Sequence, residues 1–554
     1  MRRSWRTSWA VTTVLVLLAL SVGLGRYLLS SHGSAAQLNP SPTPSPTATL
    51  PPRPGGTYTE GTLSKPQTLN PFFATMQIER DIAAILFDPL VGLDASGQPI
   101  PSLATSWKLS DDGRTYTLTL RADVTWHDGT PFTASDVLYT IRLLQAPDFP
   151  GDPTLSHFWR SVVVSSSSPT EVRFTLPAPF SPFLNYLSIP ILPAHRLAGV
   201  LPRDLPTDSF STSPIGTGPY RLVQFDAERG TVTLARYDGY YGEKPYLDQV
   251  IIRAYPDVPA LAQAFASGAI QGIGTPPIDL LLRPGALGSH ARIYAPLVPG
   301  YTALFFNLRD QLFADVRVRQ AIALAIDRQH LVQDALHQLA EPGSSPVPAS
   351  LWAYAPQPAT VNLDRARQLL NEAGWQDQNG VLQRNGTPFR FTLLVNSDDP
   401  QRLAAAQAVA NALGQLHMQV TVQALSPAAL EQTLLNRQFT AAIYGWYARQ
   451  GDPDSFTLWS SSQVDSGANI SGFRNQAVDT LLQQARTTAA EADRKALYAE
   501  FQRVFAEQVP AVILYYPRLP FVVSDTLGGV DATPLVSPSD RLREVIHWYL
   551  VAPK

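Results

Sequence analysis

One short segment, Gly445–Phe456, concentrates side chains that could bind a ligand. It reads GWYARQGDPDSF, and the side chains suited to ligand contacts in it are Trp446, Tyr447, Arg449, Asp452 and Asp454. A guanidinium fork suits a carboxylate or a phosphate, so Arg449 could recognise an anionic group of a ligand. Arg449 could equally form a local ion pair with Asp452 or Asp454, which are close in sequence. The sequence is compatible with both interpretations.

A catalytic site is not indicated anywhere in the chain. No G-x-S-x-G, H-E-x-x-H or G-x-x-x-x-G-K-[ST] motif occurs. None of the nine histidines forms an i, i+4 pair with another, and His127 lies in strand-and-turn sequence that favours a structural role. The absence of cysteine excludes disulfides, thiolate metal sites and cysteine nucleophiles. We predict a protein that is not an enzyme and has no resident metal or cofactor, with an unrecognised hydrolase site as the alternative.

The N-terminal region differs in composition from the rest of the chain. Three arginines among the first six residues precede an apolar run over Ala10–Leu24, which predicts an anchor at 1–30 whose basic end stays cytoplasmic. Asn39–Pro54 reads NPSPTPSPTATLPPRP, a composition that stays extended and makes 31–54 a linker. The protein is then tethered outside the plasma membrane. A signal peptide cleaved near Ser34-Ala35-Ala36 is the alternative, and it would give a secreted protein.

The length and the net charge of the chain limit the number of domains and the kinds of partner that can be expected. At 554 residues the chain exceeds the size of one hydrophobic core, so two or three domains are expected. The net charge of −3 provides no basic field for nucleic acid. From Gly55 onward, signals for strands and for helices are mixed throughout, which predicts an α/β protein.

Local patterns predict individual elements of the first half. Thr115–Leu120 alternates strictly, and the Asp112-Gly113 turn before it pairs this strand with Trp107–Leu109. Thr133 stands three residues before Asp136 and opens an apolar periodic run. That spacing is typical of a capped helix.

Further elements are predicted along the chain from caps, turns and periodicity. Helices are expected after the caps Asp315, Asp327 and Ser426, over Asp364–Ala373 with a stop at Gly374, and as an amphipathic pair within Gln476–Phe505. Strands are expected at Thr231–Arg236, Val512–Tyr516 and Phe521–Val523.

Five stretches occur in a characteristic order. They read PSLATSWKLSDDGRTYTLTLRADVTWHDGTPFTASDVLYTI, SPIGTGPYRL, FNLRDQLFADVRVRQAIALAIDR, NLDRARQLLNEAGW and GWYARQGDPDSF, and begin at Pro101, Ser213, Phe306, Asn362 and Gly445. Together they resemble the extracellular solute-binding proteins, family 5, that bind peptides and nickel complexes for ABC importers. The resemblance covers nearly everything after Gly55.

The resemblance implies a two-lobed type II periplasmic-binding-protein (Venus-flytrap) fold with a domain inserted in the first lobe. By analogy with the family, the first lobe is expected at 55–93, 208–298 and 520–554. The inserted domain is expected at 94–207 and the second lobe at 299–519.

The resemblance also implies where a ligand would bind between the lobes. Trp446 corresponds to an aromatic residue that covers the ligand, with a core tryptophan as the alternative, and Tyr447 follows it. At the position of Arg449, peptide-binding members carry an aspartate that pairs with the α-amino group of the peptide. An arginine cannot bind that ammonium group, so Asp452 or Asp454 could bind it instead. Met76 and Gln77 are further predicted contacts, and the alternative for these two residues is an ordinary polar loop. Tyr301 is a predicted contact on the hinge side of the cleft.

The implied function is the capture of oligopeptide-like ligands by closure of the lobes. The implied partner is an ABC permease and ATPase complex, and the N-terminal helix would contact the membrane. No nucleic acid is expected to bind, and the protein is expected to be a monomer. A binder of a non-peptide anionic solute or a metal chelate, and a tethered sensor with the same fold, are the alternatives.

Overall fold

The structure, a computed structural model, describes residues 52–448 and 451–551. The predicted anchor and nearly all of the predicted linker lie outside the described residues, and so does Arg449. Within the described ranges, no helix combines the length and the apolar character needed to cross a membrane.

A seven-stranded sheet forms the centre of the first lobe. Its strands, in spatial order, are Ala291–Tyr294, Phe521–Ser524, Gly272–Ile273, Thr57–Thr62, Gln249–Ala254, Thr231–Arg236 and Tyr220–Asp226. Thr57–Thr62 pairs in parallel with both of its neighbours. In the predicted strand Thr231–Arg236, Val232 and Leu234 are fully buried, which confirms the expected alternation. The helices around this sheet are Gln77–Leu86, Val258–Ala266, Ile278–Leu282 and Asp540–Arg543, with a 3₁₀ turn at Glu544–His547.

A four-stranded antiparallel sheet lies in the segment predicted to be inserted. Its spatial order is Ala104–Leu109, Thr115–Leu120, Glu171–Thr175 and Val163–Ser168. The predicted hairpin is confirmed, since Trp107 pairs with Leu118. The capped helix is also confirmed over Ala134–Gln145, where Asp136 accepts the N–H of Thr133 at 2.9 Å. The other elements of this segment are the strand Pro99–Pro101, the helices Pro153–Trp159, Phe183–Tyr186 and Ala194–Leu197, and the 3₁₀ turn Pro202–Thr207. At its borders, Val91–Leu93 pairs with Pro99–Pro101, and a 3₁₀ turn spans Ser209–Ser211.

A six-stranded mixed sheet forms the centre of the second lobe. Its spatial order is Ala340–Pro342, Ala511–Pro517, Gly300–Phe306, Ala441–Tyr447, Arg390–Asn396 and Gln419–Leu425. Arg390–Asn396 runs parallel to both of its neighbours, whereas the other pairs are antiparallel. Separate apolar clusters cover the two faces, one containing Leu304 and Phe306 and the other Ala303 and Phe305.

The helices of the second lobe largely follow the predicted caps. They are Val316–Ala325, Arg328–His330 continuing into the π-helical Leu331–Ala335, Leu363–Glu372, Pro400–Gly414, Pro427–Leu435, Phe456–Trp459, Gln476–Thr487 and Glu491–Gln508, with a 3₁₀ turn at Ser461–Gln463. Asn362 caps the helix predicted from Asp364, so that helix begins one residue earlier than expected. Gly374 adopts a φ of 83° after the helix, as predicted for a left-handed stop. Minor sheets pair Gln376–Gln378, Val381–Arg384 and Thr387–Pro388, and also Leu527–Gly528 with Tyr549–Leu550.

The chain passes twice between the two large sheets, before Gly300 and after Pro517. The two passages touch each other, because the N–H of Val298 donates to the carbonyl of Pro517 at 3.2 Å. The predicted domain boundaries are compatible with this course of the chain and stay a prediction.

Candidate functional site

The SPIGTGPYRL stretch fixes the end of the helix Gln77–Leu86. A side chain at Gly216 or Gly218 would collide with the carbonyl of Leu86, and the N–H of Gly218 donates to that carbonyl at 2.9 Å. His127 holds the same stretch, because its Nδ1 accepts the N–H of Gly216 at 3.1 Å and its Nε2 lies 3.0 Å from the carbonyl of Gly218. Only a neutral imidazole can accept at Nδ1 while donating from Nε2. His127 therefore has the structural role predicted for it.

Because the folded protein requires a neutral His127, the free energy of unfolding depends on pH. Burial lowers the pKa of His127 to about 4. Because the folded pKa lies below the unfolded value, its contribution is complete above about pH 6.5 and is lost as pH falls towards 4. We expect His127→Asn to lower the free energy of unfolding at pH 7.5, and we expect this loss to be smaller near pH 4 by up to about 3 kcal/mol. Denaturant titrations at both pH values test this, and an equal loss at both would contradict it.

A buried carboxylate shapes the chain around Met76. Glu79 is 1% exposed and accepts the N–H groups of Gln67, Thr75 and Met76 at 2.8, 2.8 and 3.0 Å. Met76 is thereby fixed as the residue before the helix, with its side chain partly buried. The ligand contact predicted for Met76 stays a prediction.

Gln77 has its side-chain amide engaged within the first lobe. Its Nε2 lies 2.6 Å from Asp81 Oδ1 and 2.9 Å from Ser539 Oγ. Asp81 in turn accepts from Arg541, which also binds both carboxylate oxygens of Glu60 at 2.7 Å. A ligand contact of Gln77, which also stays a prediction, would compete with this buried network.

The second-lobe sheet presents one edge beside the two passages between the lobes. Gly300 follows a passage directly and pairs with Tyr447, and Tyr301 pairs with Trp446. The strand Arg390–Asn396 runs parallel to Ala441–Tyr447 and therefore ends at the same edge. Carboxyl ends of parallel strands are a recurrent place for ligands in α/β folds. This edge brings together three of the predicted site residues.

Trp446 lies at this edge with one polar atom unused. Its ring meets that of Tyr444 edge-on, with centroids 5.5 Å apart, and packs against the apolar cluster around Trp459. The side chain is partly buried, and its Nε1 has no hydrogen-bond partner among the described residues. An indole can bury apolar ligand surface and donate one hydrogen bond.

Tyr447 lies on the opposite face of the same strand and is 50% exposed. Its ring passes over Gly300, where a Cβ would collide with it. Beside it, the guanidinium of Arg402 occupies the equivalent space over Gly445. Although half of the side chain is exposed, desolvation of the hydroxyl raises the pKa of Tyr447, and Arg402, within hydrogen-bonding reach, acts in the opposite direction. Sequence patterns did not indicate Arg402, although a glycine inside a strand signals a close approach.

Tyr301 points into the core of the second lobe. It is 3% exposed and belongs to the cluster that contains Trp459 and Phe305. Its hydroxyl faces the indole of Trp459 within that cluster. The ligand contact predicted for Tyr301 stays a prediction, and it would require access from that face of the sheet.

Asp452 and Asp454 are paired with distant arginines. Both carboxylate oxygens of Asp452 lie 2.9 Å from Nη2 of Arg494, and the pair is nearly inaccessible to solvent. Asp454 Oδ2 accepts from Nε of Arg486 at 2.8 Å. Burial raises the pKa of Asp452, while Arg494 acts in the opposite direction. A role for either carboxylate in ligand binding would compete with these ion pairs.

Residues 52–448 and 451–551 contain no cluster of three or more His, Cys, Asp or Glu side chains that could hold a metal ion.

The sequence profile of the family described as bacterial extracellular solute-binding proteins, family 5 Middle, matches residues 98–468. The chain belongs to this family. The fold is that of type II periplasmic binding proteins, as predicted.

Relatives of known name align over most of their length. The chain is 29% identical to the oligopeptide-binding protein AppA of Bacillus subtilis over 98% of this chain and 99% of AppA. The solved structure of that AppA in complex with a nonapeptide superposes with a TM-score of 0.68, covering 90% of this chain and 100% of AppA. NikZ of Campylobacter jejuni in complex with Ni(L-His) superposes with a TM-score of 0.70 at 26% identity, covering 89% of this chain and 99% of NikZ.

Proposed function

We propose that this family 5 protein captures a peptide between its lobes and delivers it to the permease of an ABC importer. The observation that carries this proposal is the similarity to the oligopeptide-binding protein AppA over nearly the full length of both chains. The protein acts by binding rather than by catalysis.

The sheet edge beside the passages supplies the proposed contacts in the second lobe. Trp446 would cover the ligand and donate from its unused Nε1, while half-exposed Tyr447 would add a second aromatic surface. Contacts to peptide main chain would give affinity without demanding a particular sequence. The backbone near Met76, which Glu79 holds in place, would contribute from the first lobe.

Closure of the lobes is the proposed mechanism. A ligand that contacts both lobes favours the closed arrangement only by the contacts it adds there. The two passages between the sheets are the natural hinge, since hinge motions are absorbed by a few residues at the ends of elements. The closed form would then dock on the permease.

The proposed location is outside the plasma membrane. The arginines and the apolar run of the first 30 residues would tether a monomeric protein through the Pro/Ser/Thr-rich linker.

Mass spectrometry of the ligand that co-purifies with the full chain tests the proposed function. Peptides released by denaturation, and absent from a heat-unfolded control, are the expected result. Release of a non-peptide solute alone would overturn the peptide proposal.

The second candidate is a non-peptide anionic solute or a metal chelate. It is favoured by the similarity to NikZ in complex with Ni(L-His) and by the arginine at position 449, where the family resemblance implies an aspartate for a peptide binder. Titration with nickel–histidine in place of peptides distinguishes the two candidates.

Trp446→Ala should weaken peptide binding by about 1–2 kcal/mol, roughly tenfold, because it removes the covering ring. Trp446→Phe keeps an aromatic ring, so it should lose less binding free energy than Trp446→Ala. The loss that it does show measures the contribution of the Nε1 hydrogen bond. Calorimetric titration gives both values. Leu435→Ala, at a side chain 49% exposed on the same lobe, is the control. An unchanged affinity of Trp446→Ala would remove Trp446 from the site.

A further inference from the structure

The segment 94–207, which is predicted to be inserted in the first lobe, touches the second lobe at two places. At the first of them, the carbonyl of Ser96 accepts the N–H of Trp352 at 3.1 Å. Next to this bond, Gly97 lies directly against Gly451, and a Cβ at Gly97 would collide with the carbonyl oxygen of Gly451. The two chain segments can therefore approach this closely only because position 97 has no side chain.

At the second place, Ser181 donates twice to the second lobe. Its N–H donates to the carbonyl of Arg486 at 2.7 Å, and its hydroxyl donates to the carbonyl of Thr488 at 2.5 Å. The guanidinium of Arg486 also lies over the ring of Phe180, 5.3 Å from its centroid. Arg486 belongs to the last turn of the helix Gln476–Thr487, where backbone carbonyls lack partners within the helix. The inserted segment thus supplies a donor that this helix end requires.

The inserted segment holds its side of these contacts with its own hydrogen bonds. Oδ1 of Asp94 accepts the N–H groups of Ser96 and Gln98 at 2.8 and 3.0 Å. Nδ2 of Asn185, four residues after Ser181, donates to the carbonyl of Gly97 at 2.8 Å. These bonds join the two contacting loops into one surface, and none of them involves the second lobe.

The second lobe holds its side in a similar way. Asp452, next to Gly451, is bound to Arg494, and the guanidinium of Arg494 lies over the ring of Trp352, 5.2 Å from its centroid. Asp454 in turn binds Arg486. Two surfaces that are each held by internal bonds can meet and separate without much cost of ordering their side chains.

We infer that these two surfaces form a docking contact that favours closure of the lobes without touching the ligand. The docking contact consists of Ser96, Gly97 and Ser181 on one side and of Trp352, Gly451, Arg486 and Thr488 on the other. The inference rests on the proposed function, since closure on a ligand is part of it. Contacts made only in the closed arrangement raise the affinity for any ligand that binds there. Gly97 and Ser181 are then positioning residues for closure.

Gly97→Ala tests the docking contact, and Gly129→Ala is its matched control in the same segment. Both glycines have a left-handed φ, 85° and 87°, but a Cβ at Gly129 meets open space. Calorimetric titration uses the most tightly bound of the peptide pools from dipeptides to nonapeptides. Gly97→Ala should weaken the binding of that pool at least about tenfold, because it separates the two surfaces and their hydrogen bonds. Gly129→Ala should bind as wild type does.

The thermal midpoint of the ligand-free protein distinguishes positioning from a purely structural role. The two alanine variants carry the same backbone strain, so their midpoints should fall by similar amounts. A much lower midpoint for Gly97→Ala, together with an affinity equal to that of Gly129→Ala, would show that Gly97 serves folding alone and would overturn the inference.

Ser181→Ala keeps the test valid if Gly97→Ala folds poorly. It removes the hydroxyl that bonds to Thr488 and should weaken binding of the same pool by about three- to tenfold. Ser161→Ala is the matched control, because it removes a hydroxyl that donates to the carbonyl of Phe158 at 2.8 Å within the inserted segment. It should leave the affinity unchanged.

The absence of native cysteine permits a direct measurement of closure. Spin labels at Lys108→Cys and Lys495→Cys, both exposed, report the distance between the inserted segment and the second lobe by double electron–electron resonance. At one subsaturating concentration of the pool, wild type and Gly129→Ala should show a larger short-distance population than Gly97→Ala. Equal populations in all three proteins would contradict the docking contact.

The outcomes separate this inference from the proposed function. Equal affinities of wild type, Gly97→Ala and Ser181→Ala for a peptide pool overturn the docking contact while leaving peptide capture intact. If wild type binds no peptide but binds nickel–histidine, peptide capture fails, and the same variants decide on the docking contact with that chelate. Failure of wild type to bind any of these probes overturns both.

Discussion

Replacing Arg541 with alanine is expected to lower the free energy of unfolding by about 3–5 kcal/mol, because it leaves two buried carboxylates without their cation. Arg541 is 2% exposed, and its guanidinium binds Glu60 at 2.7 Å through two nitrogens and Asp81 at 2.6 Å. These three residues join the first strand, the first helix and the C-terminal segment of the first lobe. Denaturant unfolding of wild type and variant measures the loss.

Arg543→Ala is the matched control for Arg541. It removes the same side chain two residues away in the same helix, where the arginine is 36% exposed and pairs with Asp540. A smaller loss is expected there, because Arg543 is more exposed than Arg541, although it also acts on the buried carboxyl of Asp88.

The pH dependence of the Arg541→Ala loss separates charge from packing. Burial already raises the pKa of Asp81, and Arg541 opposes that effect. Without Arg541 the buried carboxyl of Asp81 favours the protonated state, whose contribution to stability is present at low pH and lost as pH rises. The loss should therefore be smaller near pH 4 than at pH 7, and a loss equal at both values, or equal to that of Arg543→Ala, would contradict the explanation.

Replacing Arg494 with alanine is expected to cost a similar amount, about 3–5 kcal/mol, and to weaken ligand binding as well. The variant leaves Asp452, within the candidate segment Gly445–Phe456, buried without a cation. It also removes a guanidinium that lies over the rings of Trp352 and Tyr498 and donates to the carbonyl of Ala485 at 3.0 Å. Thermal and denaturant unfolding, together with peptide titration, measure both effects.

Two further variants identify the cause of the Arg494 effect. Lys495→Ala removes an exposed cation at the next position and should change stability by less than about 0.5 kcal/mol. The double variant Asp452→Asn with Arg494→Met removes both charges and should be clearly more stable than Arg494→Ala. A double variant no more stable than the single one would show that packing, not the unpaired carboxylate, explains the loss.

Elements with a local signal were predictable from the sequence. The alternation of Thr115–Leu120 places Tyr116, Leu118 and Leu120 on one buried face, as expected. The spacing of Thr133 and Asp136 gives the predicted helix start. Both patterns depend on residues within a few positions of each other, so no tertiary information was required.

The partners of the charged site residues were not predictable in this way. Asp452 pairs with Arg494 and Asp454 with Arg486, forty-two and thirty-two positions away. Arg402 meets Gly445 only because the parallel strands Arg390–Asn396 and Ala441–Tyr447 end at the same edge. Such contacts follow from sheet order, which local periodicity does not encode. The family resemblance supplied the two-lobed fold because it draws on five stretches at once.

Small-angle X-ray scattering of the full chain, titrated with peptide pools from dipeptides to nonapeptides, tests most directly whether a peptide brings the two lobes together. At least one pool is expected to lower the radius of gyration of wild type, and Trp446→Ala is expected to require a higher concentration of the same pool for the same decrease. A pool that binds by calorimetry yet leaves the scattering curve unchanged would contradict closure, and a radius of gyration unaffected by every pool, with no binding detected, would contradict peptide capture itself.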